Sequence, residues 1–299
     1  MRRAYYTLDV FTDQPLAGNA LAVVLDSQGL DDARMQKIAR EFNLAETVFV
    51  FDPRDAVNSA ALRIFTPQRE LPFAGHPTVG TAVLLAHLRA KDLLKAQDLR
   101  VVLEERVGEV VCIARQRQGA AMAAYFHLPR LPERLGEAPD IAELAQDLGI
   151  APEDIGFDAH QPALMGAGTA NLFVPVRSRD VVEKLKPDRK HWGEHGGPCL
   201  YVYTRETVEP ASQFHARMFA AGWGIYEDPA TGSAAAAFAG VLMAFEPPGD
   251  GEYMYVIEQG YEMGRPSQIS LALDVAQGHL ADATIGGSAV IVGEGFLEI

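Results

Sequence analysis

A seven-residue pattern occurs twice, half a chain apart. His76-Pro77-Thr78-Val79-Gly80-Thr81-Ala82 and Asp228-Pro229-Ala230-Thr231-Gly232-Ser233-Ala234 share His or Asp, then Pro-x-x-Gly, then Thr or Ser, then Ala, at an offset of 152 positions. Asn19 and Asn171 stand at the same offset, and each opens an apolar run that reads as a strand. Two matches at one spacing predict the duplication of a unit of roughly 150 residues. The segment after each motif narrows the fold further. Thr78 to Leu88 and Thr231 to Ala244 are almost wholly apolar. A helix that is apolar on all sides must be buried. The chain is therefore expected to repeat one domain, with a buried helix at about 78–88 in the first copy and about 231–244 in the second.

The remaining elements read mainly as strands. Tyr5 to Phe11, Asn19 to Leu25, Thr47 to Asp52 and Ala61 to Thr66 read as strands, and Val101-Val102-Leu103 with Gly108 to Ala114 as a strand pair. Asp31 to Phe42 reads as an amphipathic helix capped by Asp31 or Asp32, with Met35, Ile38, Ala39 and Phe42 on its apolar face. After Arg117 the texture changes: Pro129, Pro132, Pro139 and Pro152 punctuate the chain around a short helix near Ile141 to Leu148, which puts a boundary at 118–140. Leu172 to Val176 and Leu200 to Thr204 then repeat the strand pattern.

The duplicated motif has a physical use. Proline suits the first helical position, where its missing N–H would have had no partner. Gly80 and Gly232 then lie one turn in, where a missing side chain lets something approach the backbone, and Thr81 and Ser233 add hydroxyls. The free amides and positive dipole end of a helix attract anions. Two such helix starts facing an interdomain cleft would clamp a small carboxylate. They would do so locally, in a chain whose 26 Lys and Arg against 40 Asp and Glu give a formal charge of −14. Each copy also carries a titratable residue, His76 or Asp228. Glu46 is a third, placed where the first helix has ended and an apolar strand begins. Burial there would raise its pKa toward that of a working acid/base; exposure at the strand start is the alternative.

Other classes are disfavoured. An acidic surface repels nucleic acid and anionic lipid, and there is no basic run. The longest apolar run, Ala234 to Phe245, is too short to span a bilayer, and the N-terminus reads as a strand rather than a signal peptide. A cytoplasmic setting is expected. Cys112 and Cys199 sit in apolar contexts without a CxxC pair, as buried small hydrophobes do. His191-Trp192-Gly193-Glu194-His195 matches H-x-x-E-H, but Gly193 and the following Gly196-Gly197-Pro198 oppose the helix that zinc chemistry needs, so no metal site is expected. Gly166-Ala167-Gly168 lacks the third glycine of a dinucleotide turn, and a strand follows it. His87, His127, His160, His215 and His279 carry no motif and are expected to be satisfied or exposed.

The segments Asp9 to Val24, Asn43 to Phe49, Phe65-Thr66-Pro67 through Glu70-Leu71-Pro72-Phe73-Ala74-Gly75-His76-Pro77-Thr78, and Asp228 to Ala234 resemble the PhzF family of phenazine-biosynthesis isomerases, in the diaminopimelate epimerase superfamily. The resemblance runs the length of the chain to Gly286-Gly287-Ser288-Ala289-Val290. It implies an α+β, diaminopimelate epimerase-like fold: two pseudo-symmetric barrel-like domains, each wrapped around a central helix, with a cleft between them. It also implies that the C-terminal strand returns to the first domain, giving domains 1–120 plus 281–299 and 121–280. Epimerases of the superfamily carry a cysteine at the start of each central helix; here Gly75 and Asp228 stand there, so a two-thiol racemisation is not expected.

The resemblance assigns roles residue by residue. Glu46 matches the glutamate that moves a proton on a cyclic amino acid of the dihydro-hydroxyanthranilate type. His76, Asp228 and Ser233 match the family's other site residues, with Gly75 and Gly232 offering backbone contacts. The implied chemistry is proton transfer at carbon without a cofactor, on a small carboxylate substrate, and the implied assembly is a homodimer. A different epimerase or lyase activity on the same scaffold, and a binding protein that kept the cleft, are the competing readings.

Overall fold

The computed structural model describes residues 2–187, 192, 197–223 and 225–299. The His191–His195 segment weighed above as a zinc pattern lies outside the described residues, apart from Trp192. The chain divides into two compact units, residues 1–129 with 286–299, and residues 130–285.

The first unit begins with β1 (Arg2–Val10) and β2 (Asn19–Val24), an antiparallel pair. Helix α1 (Asp32–Phe42) comes next. Its N-cap Asp31 accepts from the Arg34 amide, Asn43 closes it in the left-handed region, and Met35, Ile38 and Ala39 are buried. Phe42 is only half-buried and packs edge-on to Tyr5. The unit continues with β3 (Glu46–Phe51), β4 (Ala60–Phe65), the two-residue β5 (Glu70–Leu71), α2 (Gly75–Ala96), β6 (Leu99–Glu105), β7 (Gly108–Gln116) and β8 (Met122–His127). Pairing runs β1-β2 antiparallel, β2-β3 parallel, β3-β4 antiparallel, β4-β6 parallel past the short β5, and β6-β7-β8 antiparallel. Helix α2 touches β1, β2, β3, β6, β7 and β8, so the strands wrap it.

The second unit holds β9 (Glu133–Gly136), α3 (Ile141–Leu148), β10 (Ala163–Gly166), β11 (Ala170–Pro175), α4 (Arg179–Lys184), β12 (Cys199–Thr204), β13 (Phe214–Ala220), the short β14 (Ile225–Asp228), α5 (Gly232–Phe245), β15 (Gly251–Gln259) and β16 (Ser267–Ala276). Its pairing repeats that of the first unit. β10-β11 is antiparallel, β11-β12 parallel, β12-β13 antiparallel, β13-β15 parallel past β14, and β15-β16 antiparallel. The last strand, β17 (His279–Glu298), starts in the second unit and ends in the first. There it pairs antiparallel with β1, and it also pairs with β8, which closes the strand ring around α2. The Gly166-Ala167-Gly168 segment is the turn of the β10-β11 hairpin.

The central helices are buried because they are apolar all round. Residues from Gly75 to Ala86 of α2 are buried without interruption. In α5 the run of alanines lets strands approach closely, and Phe238 fills the remaining space between Tyr203 and Phe214, with ring centroids 4.9 and 4.8 Å away. Among the described residues, no helix is long and apolar enough to cross a membrane.

The structure corrects the symmetric reading of the repeat in three respects. Helix α2 begins at Gly75, so Pro77 is its third residue and His76 lies inside its first turn, whereas α5 begins at Gly232 and Pro229 lies outside it. Gly232 is thus the first residue of its helix and Gly80 the sixth of its own. What approaches Gly80 is the core rather than a ligand: a Cβ there would sit 2.6 Å from Leu21 Cδ2 and 2.7 Å from Val10 Cγ2. Thr81 is fully buried in the second turn of α2, away from the first-turn amides, and its hydroxyl has no hydrogen-bond partner. Helix α2 also runs past the expected end, across a break at Ala90 (φ −148°, ψ 37°) into an exposed tail.

Two histidines without a sequence motif anchor the second unit. His160 has Nδ1 2.8 Å from the Tyr203 hydroxyl and Nε2 3.1 Å from Glu246, and burial first, then Arg205, pushes it down to about 4. His215 is fully buried with Nδ1 2.7 Å from Glu258 and Nε2 2.8 Å from Glu262. Burial opposes its charge, but the two carboxylates outweigh burial and push it up to about 9.

Two measurements check this packing. In Gly80→Ala the helix-propensity gain of about 1 kcal/mol is outweighed by overlap with the methyls of two fully buried side chains, Leu21 and Val10, and a net loss of about 1–2 kcal/mol is expected in urea denaturation; a more stable variant would contradict the close approach. His215 is raised above its unfolded value, so its contribution is complete below about pH 6.5 and is lost as pH rises through about 9. The stability advantage of the native chain over His215→Gln is expected to be on the order of 3 kcal/mol at pH 6 and to shrink toward pH 10; a pH-independent difference would contradict the charged triad.

Candidate active site

Glu46 is the first residue of β3, paired in parallel register with Leu21 of β2. Both faces of β3 are covered, which takes Glu46 to 8% exposure, so its position at a strand start does not put it in solvent. His76, 4% exposed, is the second residue of α2. Its Nε2 lies 3.1 Å from Glu46 Oε2, and the ring nitrogen is not aligned for a hydrogen bond. The structure thus brings together two of the residues singled out from sequence. Burial pushes His76 down to about 3, so the imidazole is neutral across the physiological range.

The first turn of α2 carries a second buried carboxyl that sequence reasoning missed. Thr78 Oγ1 lies 2.8 Å from the Ala74 carbonyl oxygen and 2.7 Å from Glu105 Oε1. A hydroxyl has one proton to give, and the carbonyl can only accept. Both contacts are satisfied together when Glu105 is protonated. Burial pushes Glu105 up to about 8, with Thr78 opposing it, which agrees with that proton count. Glu105 ends β6, a strand whose sequence gives no hint that its last residue turns inward.

In the second unit Asp228 ends β14 and is 8% exposed. The Thr231 hydroxyl donates to its Oδ2 at 2.6 Å. Thr231 is the N-cap residue of α5, but its side chain makes no cap hydrogen bond because it is turned to Asp228. Gly232, buried, opens the helix, and Ser233, half-buried, comes after it. Gly75 likewise opens α2, behind an N-cap Ala74 that has no side chain to donate or accept. Neither helix has a side-chain cap, so the positive first turn of each is left to other acceptors. Tyr201 on β12 is fully buried, and its hydroxyl has no hydrogen-bond partner. Burial, and then the charge of Asp228, push its ionisation far above the usual range.

The thiols lie apart from these groups. Cys112 on β7 and Cys199 at the start of β12 are fully buried, and burial followed by the charge of Glu105 pushes the Cys112 thiol well above its ordinary value. Among the described residues, no group of three or more His, Cys, Asp or Glu is arranged to hold a metal ion.

Comparison with known proteins places the chain as a whole. The family model described as phenazine biosynthesis-like protein matches residues 8–295. An uncharacterized isomerase of Mesorhizobium japonicum is 48% identical over 99% of both chains. The trans-2,3-dihydro-3-hydroxyanthranilate isomerase of Pseudomonas fluorescens is 33% identical, again over 99% of both. Among solved structures, a phenazine biosynthesis protein of the PhzF family from Bacillus anthracis superposes with a TM-score of 0.88 at 26% identity, covering 100% of each chain. The fold is the diaminopimelate epimerase-like fold that the sequence resemblance implied. With a family model spanning nearly the whole chain and relatives that are isomerases, this chain belongs to the phenazine biosynthesis-like protein family and is an isomerase.

Proposed function

We propose that the chain moves a proton between ring carbons of a small cyclic amino acid of the trans-2,3-dihydro-3-hydroxyanthranilate type, with Glu46 as the acid/base. The observation that carries this reading is the buried Glu46–His76 pair, 3.1 Å apart. Its support from kinship is the 33% identity to an isomerase named for that substrate.

Proton transfer at carbon needs a group that can take a proton and hold it long enough to return it elsewhere. An ionised Glu46 has the acceptor. Its Oε2 lies 3.1 Å from Nε2 of the buried imidazole of His76. His76 resists becoming a cation because burial holds it down at about 3, so the imidazole stays neutral beside Glu46. Acid/base action of this kind supplies about 10²–10⁴-fold. Positioning supplies more: His76 and Asp228 take the substrate's polar groups, Ser233 adds a hydroxyl, and the uncapped amides at Gly75 and Gly232 take its carboxylate.

The test is turnover of trans-2,3-dihydro-3-hydroxyanthranilate by the native chain and Glu46→Gln. The variant keeps the shape of the side chain but cannot accept a proton. A fall in kcat of at least about 100-fold with KM within about threefold is expected. Turnover in Glu46→Gln within about threefold of the native chain would overturn the assignment.

A further inference from the structure

Asp228 is held by a relay that begins one strand away. Gln259, the last residue of β15, is fully buried. Its Nε2 donates to the Asp228 carbonyl oxygen at 2.6 Å and to Thr231 Oγ1 at 3.1 Å. Its Oε1 accepts from the Thr231 amide at 3.3 Å. The orientation of the carboxamide is forced, since a carbonyl can only accept and an amide N–H can only donate. With one Gln259 N–H pointing at Thr231 Oγ1, the hydroxyl proton of Thr231 is directed to Asp228 Oδ2, 2.6 Å away. Polarity therefore runs one way, from Gln259 through Thr231 to Asp228, and it fixes Oδ2 as an acceptor.

The neighbour of Gln259 shows how tightly this segment sits under the loop. Gly260 has φ +81°, and a Cβ there would lie 2.6 Å from the Pro229 carbonyl oxygen. Gln259 and Gly260 thus grip Asp228, Pro229 and Thr231 together. Glu105 is the counterpart in the first unit. It ends β6, which like β15 comes after the central helix, and it reaches a threonine in that helix's first turn. Ending the strand after the central helix on a side chain that holds the helix start is common to both units.

We infer that Gln259 is a positioning residue for the isomerase reaction: through Thr231 it orients the Asp228 carboxylate, fixing Oδ2 as the oxygen that the Thr231 hydroxyl holds. This rests on the proposed role of Asp228. Gln259 acts through Thr231 and the Asp228 carbonyl.

The experiment is a double-mutant cycle with trans-2,3-dihydro-3-hydroxyanthranilate as the probe, on the native chain, Gln259→Leu, Asp228→Asn and the pair. Gln259→Leu is expected to lower kcat about 10- to 100-fold with a small change in melting temperature. In the Asp228→Asn background the same change is expected to lower kcat by less than about twofold, because nothing is left for Gln259 to orient. Additive losses would overturn the inference and mark Gln259 as merely structural. Should Gln259→Leu fail to fold, Thr231→Val and Thr231→Ser test the same link: loss in the first and rescue in the second are expected, and equal activity in both would overturn it. Asp228→Asn with native turnover would overturn the role of Asp228 in the proposed function, a result distinct from additivity. A native chain inactive on this substrate would overturn that substrate. Hydrogen exchange at the Thr231 amide, unchanged in Gln259→Leu, would by itself overturn the relay.

Discussion

A helix that is apolar on every side can be stable in water only inside other structure. That constraint governs both halves of this chain. In the first unit strands close a ring around α2 from β1 to β8 and back through β17. In the second the same sequence of antiparallel and parallel pairings surrounds α5. Gly80 shows how close the fit is, since its missing Cβ is the space that Leu21 and Val10 occupy.

Burying a whole helix also buries its first turn, and that is where the chemistry collects. Four amides at a helix start have no partner within the helix. Here neither N-cap side chain supplies one: Ala74 cannot, and Thr231 is turned to Asp228. Such a start favours an anionic partner. The polar groups gathered around the two starts are held by strand ends. Glu46 opens β3, Glu105 ends β6, Asp228 ends β14 and Gln259 ends β15.

Much of this is legible in the sequence because it is local or periodic. The repeat at 152 residues gives the duplication, and Asp31 with the spacing of Met35, Ile38 and Ala39 gives α1. Glu46 and His76 can be singled out from motif and resemblance, yet their 3.1 Å approach depends on how β3 lies beside the start of α2. Helix α2 starts at Gly75, two residues before Pro77, and Gly80 serves helix-to-strand contact, which no single-chain pattern distinguishes from ligand approach. Gln259 and Glu105 leave no local signal at all. Each acts on a threonine 27 or 28 residues away, through contacts that exist only once the strands are paired. Gly260 after Gln259 is the one mark that a search for close backbone approach could have used.

The central claim is that a carboxylate at Glu46 carries a proton from one carbon to another. Isomerisation in ordinary water of trans-2,3-dihydro-3-hydroxyanthranilate deuterated at the ring carbon that loses the proton, with mass spectrometry and NMR of the product, tests it most directly. The account predicts that the native chain carries deuterium to the single ring carbon that gains the proton, and that Glu46→Gln forms this product at least about 100-fold more slowly. Deuterium lost wholly to water with the native chain, or the labelled product formed equally fast by Glu46→Gln, would contradict it.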